Sequence, residues 1–290
     1  MMFLKKHIIF WGFLFSLGLV FTYAAHALEA TQVKKGNFAL PASQQPGPLF
    51  GFGQNVIDSG TLQILGYFDY QKAHDQDEFN VVPSLLYGIT DRLAFLGFIQ
   101  AKAYSNVDGI HTSRVNQVGL QFEYSVQADK RATRIDEITL VIGSNFATSP
   151  NIQQDFFSTS FFLGATVSRT TVDWYFFVSP AVILPTQRGN SKSGNTLAVQ
   201  AGLGKNIPTS SKFIFLGMLE LAMISSQRAT RLGSLDQDSG NQILYIGPTL
   251  WFSSSSFLAQ AGLAFPVYQH IKGVQDKSRY VIALSIGITV

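Results

Sequence analysis

Three histidines fall after residue 27: His74, His111 and His270, each in a polar stretch. His74 is followed by Asp75, Asp77 and Glu78, a set of imidazole and carboxylate donors that a divalent cation accepts. The same spacing describes a solvated loop, and that is the reading adopted. His111-Thr112-Ser113, and His270 with Ser278, bring a hydroxyl near an imidazole. Adjacent residues on an extended chain face opposite ways, and no orienting third group is near, so Ser–His hydrolysis is not expected. Gly51-Phe52-Gly53 opens like a dinucleotide fingerprint, but no third glycine or helix follows. Cysteine is absent, which removes disulfides, thiolate metal sites and thiol nucleophiles. The carboxylates Glu123 and Glu137 fall on adjacent segments, where an ion pair with Arg92 or Lys102 is the expected use. No enzyme activity, cofactor or metal is expected.

The remaining polar residues are spread thinly and regularly. Of 290 residues, 46% are hydrophobic and only 13% charged. That is about half the usual charged share of a soluble domain. Mean hydropathy is +0.17, too high for a disordered chain. Phe and Gly number 25 each, beside 10 Pro. Lys5 and Lys6, an apolar run from Ile8 to Ala25, and Ala25-His26-Ala27 have the pattern of a signal peptide over residues 1–27. Removing Lys5 and Lys6 from the 21 basic residues leaves 19 against 18 acidic ones, a net charge of +1. Nothing here forms the clustered basic face that nucleic acid requires.

From residue 60 the period is two. Between Tyr280 and Val290, large apolar residues (Tyr280, Ile282, Leu284, Ile286, Ile288, Val290) alternate with small or weakly polar ones. That gives a strand one greasy and one lean face. Twelve such segments are expected: 60–70, 79–89, 92–104, 114–127, 135–148, 156–168, 172–184, 196–205, 212–225, 241–252, 257–268 and 279–290. A tilted strand crosses a bilayer core in about 9–11 residues, whereas soluble strands average about 5–6. Five short links (90–91, 128–134, 169–171, 206–211, 253–256) alternate with six longer ones (71–78, 105–113, 149–155, 185–195, 226–240, 269–278). Short inner turns and longer outer loops mark an outer-membrane barrel. Tyr87, Tyr124, Trp174, Phe213, Phe252 and Phe257 fall at the short-link ends of the greasy faces, as an aromatic girdle would. The expected fold is all-β, a transmembrane antiparallel up-and-down barrel of about twelve strands over residues 60–290.

The lean faces then line a lumen. Charge on a lipid face costs about 2–4 kcal/mol near the midplane, so the lumen-lining candidates are Arg92, Lys102, Gln121, Glu123, Glu137, Asp173, Gln200, Glu220 and Arg279. The same faces carry Leu65, Leu86, Ile214, Leu216 and Met218. Such a mixed lumen suits a moderately hydrophobic solute, or else packs against itself or a plug. Residues 28–59, with Pro41, Pro46-Gly47-Pro48 and Gly51-Phe52-Gly53, hold little regular structure. Leu49, Phe50 and Phe52 need cover. Partial insertion into the barrel is expected, against the alternatives of lying across the mouth or remaining a tether.

Pro83-Ser84-Leu85-Leu86-Tyr87-Gly88-Ile89-Thr90-Asp91-Arg92-Leu93 joins two segments through a very short turn. It resembles a hairpin of bacterial outer-membrane barrels in the phenol meta-pathway family, transporters of aromatic compounds, with Ala94 where that family carries Glu. Gly60-Thr61-Leu62-Gln63 is similar to the family's first strand. The resemblance implies a passive conduit for small, often aromatic, hydrophobic compounds. The overall expectation is a monomer in a Gram-negative outer membrane whose partners are outer-membrane lipids and a small-molecule solute. The alternatives are a closed structural barrel with ligand-binding outer loops or, less favoured, an outer-membrane hydrolase.

Overall fold

The structure is a computed structural model that describes residues 35–53, 56–107, 109–148, 158–209 and 212–290. The expected signal peptide, residues 28–34 and the whole of the link 149–155 lie outside these residues.

Twelve antiparallel strands close into a barrel. In chain order they are β1 (Leu62–Ala73), β2 (Gln76–Thr90), β3 (Leu93–Val107), β4 (Ile110–Arg131), β5 (Arg134–Ala147), β6 (Ser160–Thr171), β7 (Trp174–Pro185), β8 (Thr196–Asn206) and β9 (Ile214–Ser226). A small outer hairpin, β10 (Thr230–Arg231) and β11 (Ser234–Leu235), interrupts the series. The wall resumes with β12 (Asn241–Ser253), β13 (Phe257–Ile271) and β14 (Ser278–Thr289). Each strand pairs with its sequence neighbour in the wall, and β1 with β14 closes the ring. At about 3.3 Å per residue and a tilt near 40°, even the shortest wall strand rises about 28 Å, enough to cross the ~25 Å apolar band of an outer-membrane barrel.

The alternation sets which side of each strand faces out. On β14 Ile282, Leu284, Ile286 and Ile288 are 39–55% exposed, whereas Ala283 and Ser285 between them are below 10%. Around the wall Ile142, Leu163, Val167, Leu203, Leu219 and Leu250 continue this exposed apolar belt. Water does not solvate such a belt favourably; hydrocarbon does. Trp174, Phe213, Phe252 and Phe257 are exposed at the short-turn end. Phe213 stacks on Phe252 at 5.6 Å, and Lys205 lies 5.4 Å over Trp174.

Three links are shorter than the sequence suggests. The 128–134 link shrinks to Ala132-Thr133, because Arg134 reaches Asp129 and Arg169 reaches Asp136 across neighbouring strands, and these pairs extend the ladder. The 71–78 link shrinks to His74-Asp75, where Lys72 and Tyr70 both reach Asp77. The 105–113 link likewise gives way to strand up to Val107 and from Ile110. Periodicity missed these because polar cross-strand pairs prolong a strand beyond its apolar alternation. Pairing also skips a step beside Pro83, Pro180 and Pro248, since proline has no N–H to give to the ladder.

Candidate functional site

The lumen and the segment that runs through it make the site. A 3-10 turn, Gly36–Phe38, enters at the short-turn end beside the β6–β7 turn. Gly36 has φ +57°, and a Cβ there would stand 2.1 Å from the Val172 carbonyl oxygen, so only glycine fits this approach. Asn37 donates from its amide to Val172 O (2.9 Å) and from Nδ2 to Thr171 O (3.0 Å), and its Oδ1 accepts from Asn206 Nδ2 (3.0 Å). A second turn, Ala42–Gln44, crosses the mouth. There Gln63 Nε2 donates to Ser43 O, and Ser253 Oγ donates to Gln44 O at 2.7 Å while accepting from Trp251 Nε1.

The chain then rises. Gln260 Nε2 donates to Gly47 O at 3.0 Å. At the apex the Glu220 carboxylate accepts from the amides of Leu49 (3.2 Å) and Phe50 (3.1 Å) and from Thr249 Oγ1 (2.9 Å). Gln200 accepts from the Phe52 amide and donates to Phe50 O at 2.9 Å. Hydrogen bonds to a charged group are the strong kind, about 1.5–3 kcal/mol each. The bare backbone of a structureless segment is thereby satisfied by wall side chains. Gly262 makes room for it: a Cβ there would meet Thr249, Leu49 and Phe50 at 2.6–3.0 Å. Phe52 packs edge-on against Phe162 with centroids 4.7 Å apart. The chain returns to the short-turn end, where Ser59 N bonds Asp91 Oδ1 and Gly60 N bonds Gly88 O before β1 begins.

Beneath the apex, Leu65, Leu86, Ile214, Leu216 and Met218 are buried with Tyr175, Phe177, Trp251 and Leu258, packed with Val56 and Ile57 of the returning chain. The apolar half of the mixed lumen face thus serves as a core. Beside the apex two cavities remain. One of about 300 Å³ is lined by Leu65, Tyr67, Val82, Leu96, Phe98 and the segment's Leu49 and Phe50, with Ser84 and Ser285 as polar points. Another of about 150 Å³ lies between Phe50, Tyr67, Ala222, Tyr245, Ala264 and Val281, with Gln71 and Glu220 as polar points. Toward the loop end the lumen turns polar. Asp69 accepts from Gln71 (2.7 Å) and Asn80 (3.0 Å), and Glu78 accepts from Lys102 and Ser105.

Of the sequence-derived candidates, Lys102, Gln121, Glu123, Glu137, Gln200 and Glu220 stand in strands and face inward. Gln121 Nε2 donates to Glu123 Oε1 at 2.8 Å, and Glu137 bonds Ser125. Arg279 has inward parity but stands exposed at the loop-end rim. Arg92 and Asp173 differ from the expectation: both are exposed in short turns, because the strands begin at Leu93 and Trp174, one and two residues later than expected. Lys102 pairs with Glu78 on the adjacent β2 and so is committed at the loop end, away from the expected Glu123 and Glu137. His74 Nδ1 lies 2.8 Å from Asp75 in the open, while Asp77 and Glu78 turn to lysines, so the four donors do not converge. Periodicity alone could not find Asn37, Trp251 or Ser253. Their partners lie far along the chain, and the facing of 241–252 is ambiguous until a bulge at Leu244/Tyr245 is seen.

No family model matches the sequence, and no curated protein matches it. Among solved structures the chain is similar to an outer membrane channel from Pseudomonas putida F1, with TM-score 0.68 and 12% identity over 85% of this chain and 99% of that one. It is also similar to the NanC porin, with TM-score 0.50 and 12% identity over 78% of this chain and 98% of that one. At such identity the likeness carries the fold, and the fold is that of an outer-membrane β-barrel.

Proposed function

We propose that this chain is an outer-membrane channel passing small, moderately hydrophobic solutes, with residues 28–59 as a plug that narrows its lumen. The observation that carries this reading is the apex at Glu220. A chain held mid-lumen by side-chain hydrogen bonds leaves lined cavities beside it, whereas a barrel kept only for structure has no use for them. The cavity sizes support the solute class. An apolar cavity of about 150 Å³ holds benzene; the two here are about 150 and 300 Å³, with aromatic walls and a few polar points, Glu220 and Gln71 in the smaller and Ser84 and Ser285 in the larger. The fold shared with an outer membrane channel and a porin agrees with this reading. So does the exposed apolar belt, which calls for surrounding lipid. In this reading residues 1–27 are removed on export, the short turns face the periplasm, and the barrel works as a monomer without energy coupling.

A second reading, a structural barrel with a closed lumen, is favoured by the packed core under the apex. Single-channel recording of refolded residues 28–290 in planar bilayers, with and without small aromatic acids, separates the two. Steady openings partly blocked by those acids support the channel. A correctly folded barrel that stays silent under all conditions supports the closed one.

A further inference from the structure

A cluster of charge stands on the outward face of the wall at its short-turn end. Gln127, Asp129 and Arg131 of β4 pair across to Ile138, Asp136 and Arg134 of β5. Asp136 and Ile138 in turn pair with Arg169 and Val167 of β6. These positions share parity with the exposed belt residues Leu140, Ile142 and Val167, so the cluster faces away from the lumen. It lies at the short-turn end, where Arg169 is opposite Phe176, two residues from Trp174 of the aromatic girdle. Rings of that kind sit at headgroup depth, and charge on this face is tolerated only there.

The charges do not balance. Arg169 grips Asp136 with two bonds of 2.6 and 3.1 Å, Arg134 reaches the same carboxylate at 3.1 Å, and Arg131 reaches Asp129 at 2.8 Å. Three guanidinium groups thus meet two carboxylates. A guanidinium has five N–H donors, and these pairs use a minority of them. Arg134 is spoken for: its Nε stands 3.1 Å from Asp136 and its Nη2 3.6 Å from Asp129. Arg131 and Arg169 keep more than half of their side-chain surface exposed. Next to them a groove of about 470 Å³ runs over Ile138, Val167 and Phe176, rimmed by Gln127, Asp129, Asp136, Glu137, Ser168 and Arg169.

We propose that this groove binds an anionic glycerophospholipid of the inner leaflet, of the phosphatidylglycerol kind. Its phosphodiester takes the spare donors of the exposed Arg131 and Arg169 guanidinium groups, and an acyl chain lies on the apolar floor. Arginine forks match phosphate oxygens in geometry as well as charge. The site depends on the barrel's lying in a membrane but not on whether its lumen conducts.

The test is native mass spectrometry of the refolded barrel released from detergent with phosphatidylglycerol, phosphatidylethanolamine or diacylglycerol supplied singly. The wild type should retain phosphatidylglycerol over the other two. Arg131→Gln with Arg169→Gln should lower that retention about tenfold, the loss of one charge-assisted bond, while Lys277→Gln in an outer loop leaves it unchanged. Should the double variant not refold, Arg131→Gln alone serves, with a smaller loss in the same direction. Equal retention of all three lipids, equal retention of the two phospholipids, or undiminished phosphatidylglycerol on a folded variant would overturn the proposal.

Discussion

Glu220 is the residue on which the lumen's arrangement turns. A carboxylate mid-barrel stays only where donors meet it, and here two plug amides and Thr249 do so. Glu220→Ala removes the acceptor and leaves those amides buried without a partner. The apex should loosen, so that a cysteine at position 50 in a Phe50→Cys background is labelled from solution about tenfold faster or more, the equivalent of ~1.4 kcal/mol. An unchanged labelling rate would show that the apex is held by packing alone. Gly262→Val approaches the same point sterically. Its side chain would occupy the space of Leu49 and Phe50, and labelling at position 50 should rise as it does with Glu220→Ala, although no hydrogen-bonding group has been altered.

Among the elements, the strands were legible and the plug only in part. Alternation at Tyr280–Val290 gave β14 to within two residues, because an outward Ile and an inward Ala experience opposite solvents along the whole strand. Strand ends were less legible. β4 and β5 run on through Asp129, Arg131, Arg134 and Asp136, where the cross-strand pairs Arg134–Asp129 and Arg169–Asp136 rather than hydrophobicity prolong the ladder. The inward parity of Glu220 and Gln200 could be read from the sequence. That they would hold backbone some 150 or more positions earlier could not, since no local pattern encodes such a contact. The outward faces give a direct check on the strand register. Ile142→Lys, in the middle of β5, should cost about 2–4 kcal/mol of stability in bilayers, read as a lower urea midpoint of folding. Thr139→Ser, on the inward face of the same strand, should leave that midpoint nearly unchanged. Equal effects would mean that the register is wrong.

For the molecule as a whole, the same lean faces serve two purposes along the barrel axis. At the short-turn end they bury Leu86, Ile214, Leu216 and Phe177 as a soluble domain would. At the loop end Asp69, Asn80, Glu78 and Lys102 form a hydrogen-bonded polar layer. The plug is the boundary between them, and the central claim is that it narrows a conduit that exists without it. The most direct test is to compare single-channel currents of residues 28–290 with those of a chain starting at residue 60, each confirmed as a folded barrel by its heat-modifiable mobility. The account predicts small or rare currents from the first and larger, steadier currents from the second. A folded, plug-free barrel that conducts no better than the intact chain would contradict it.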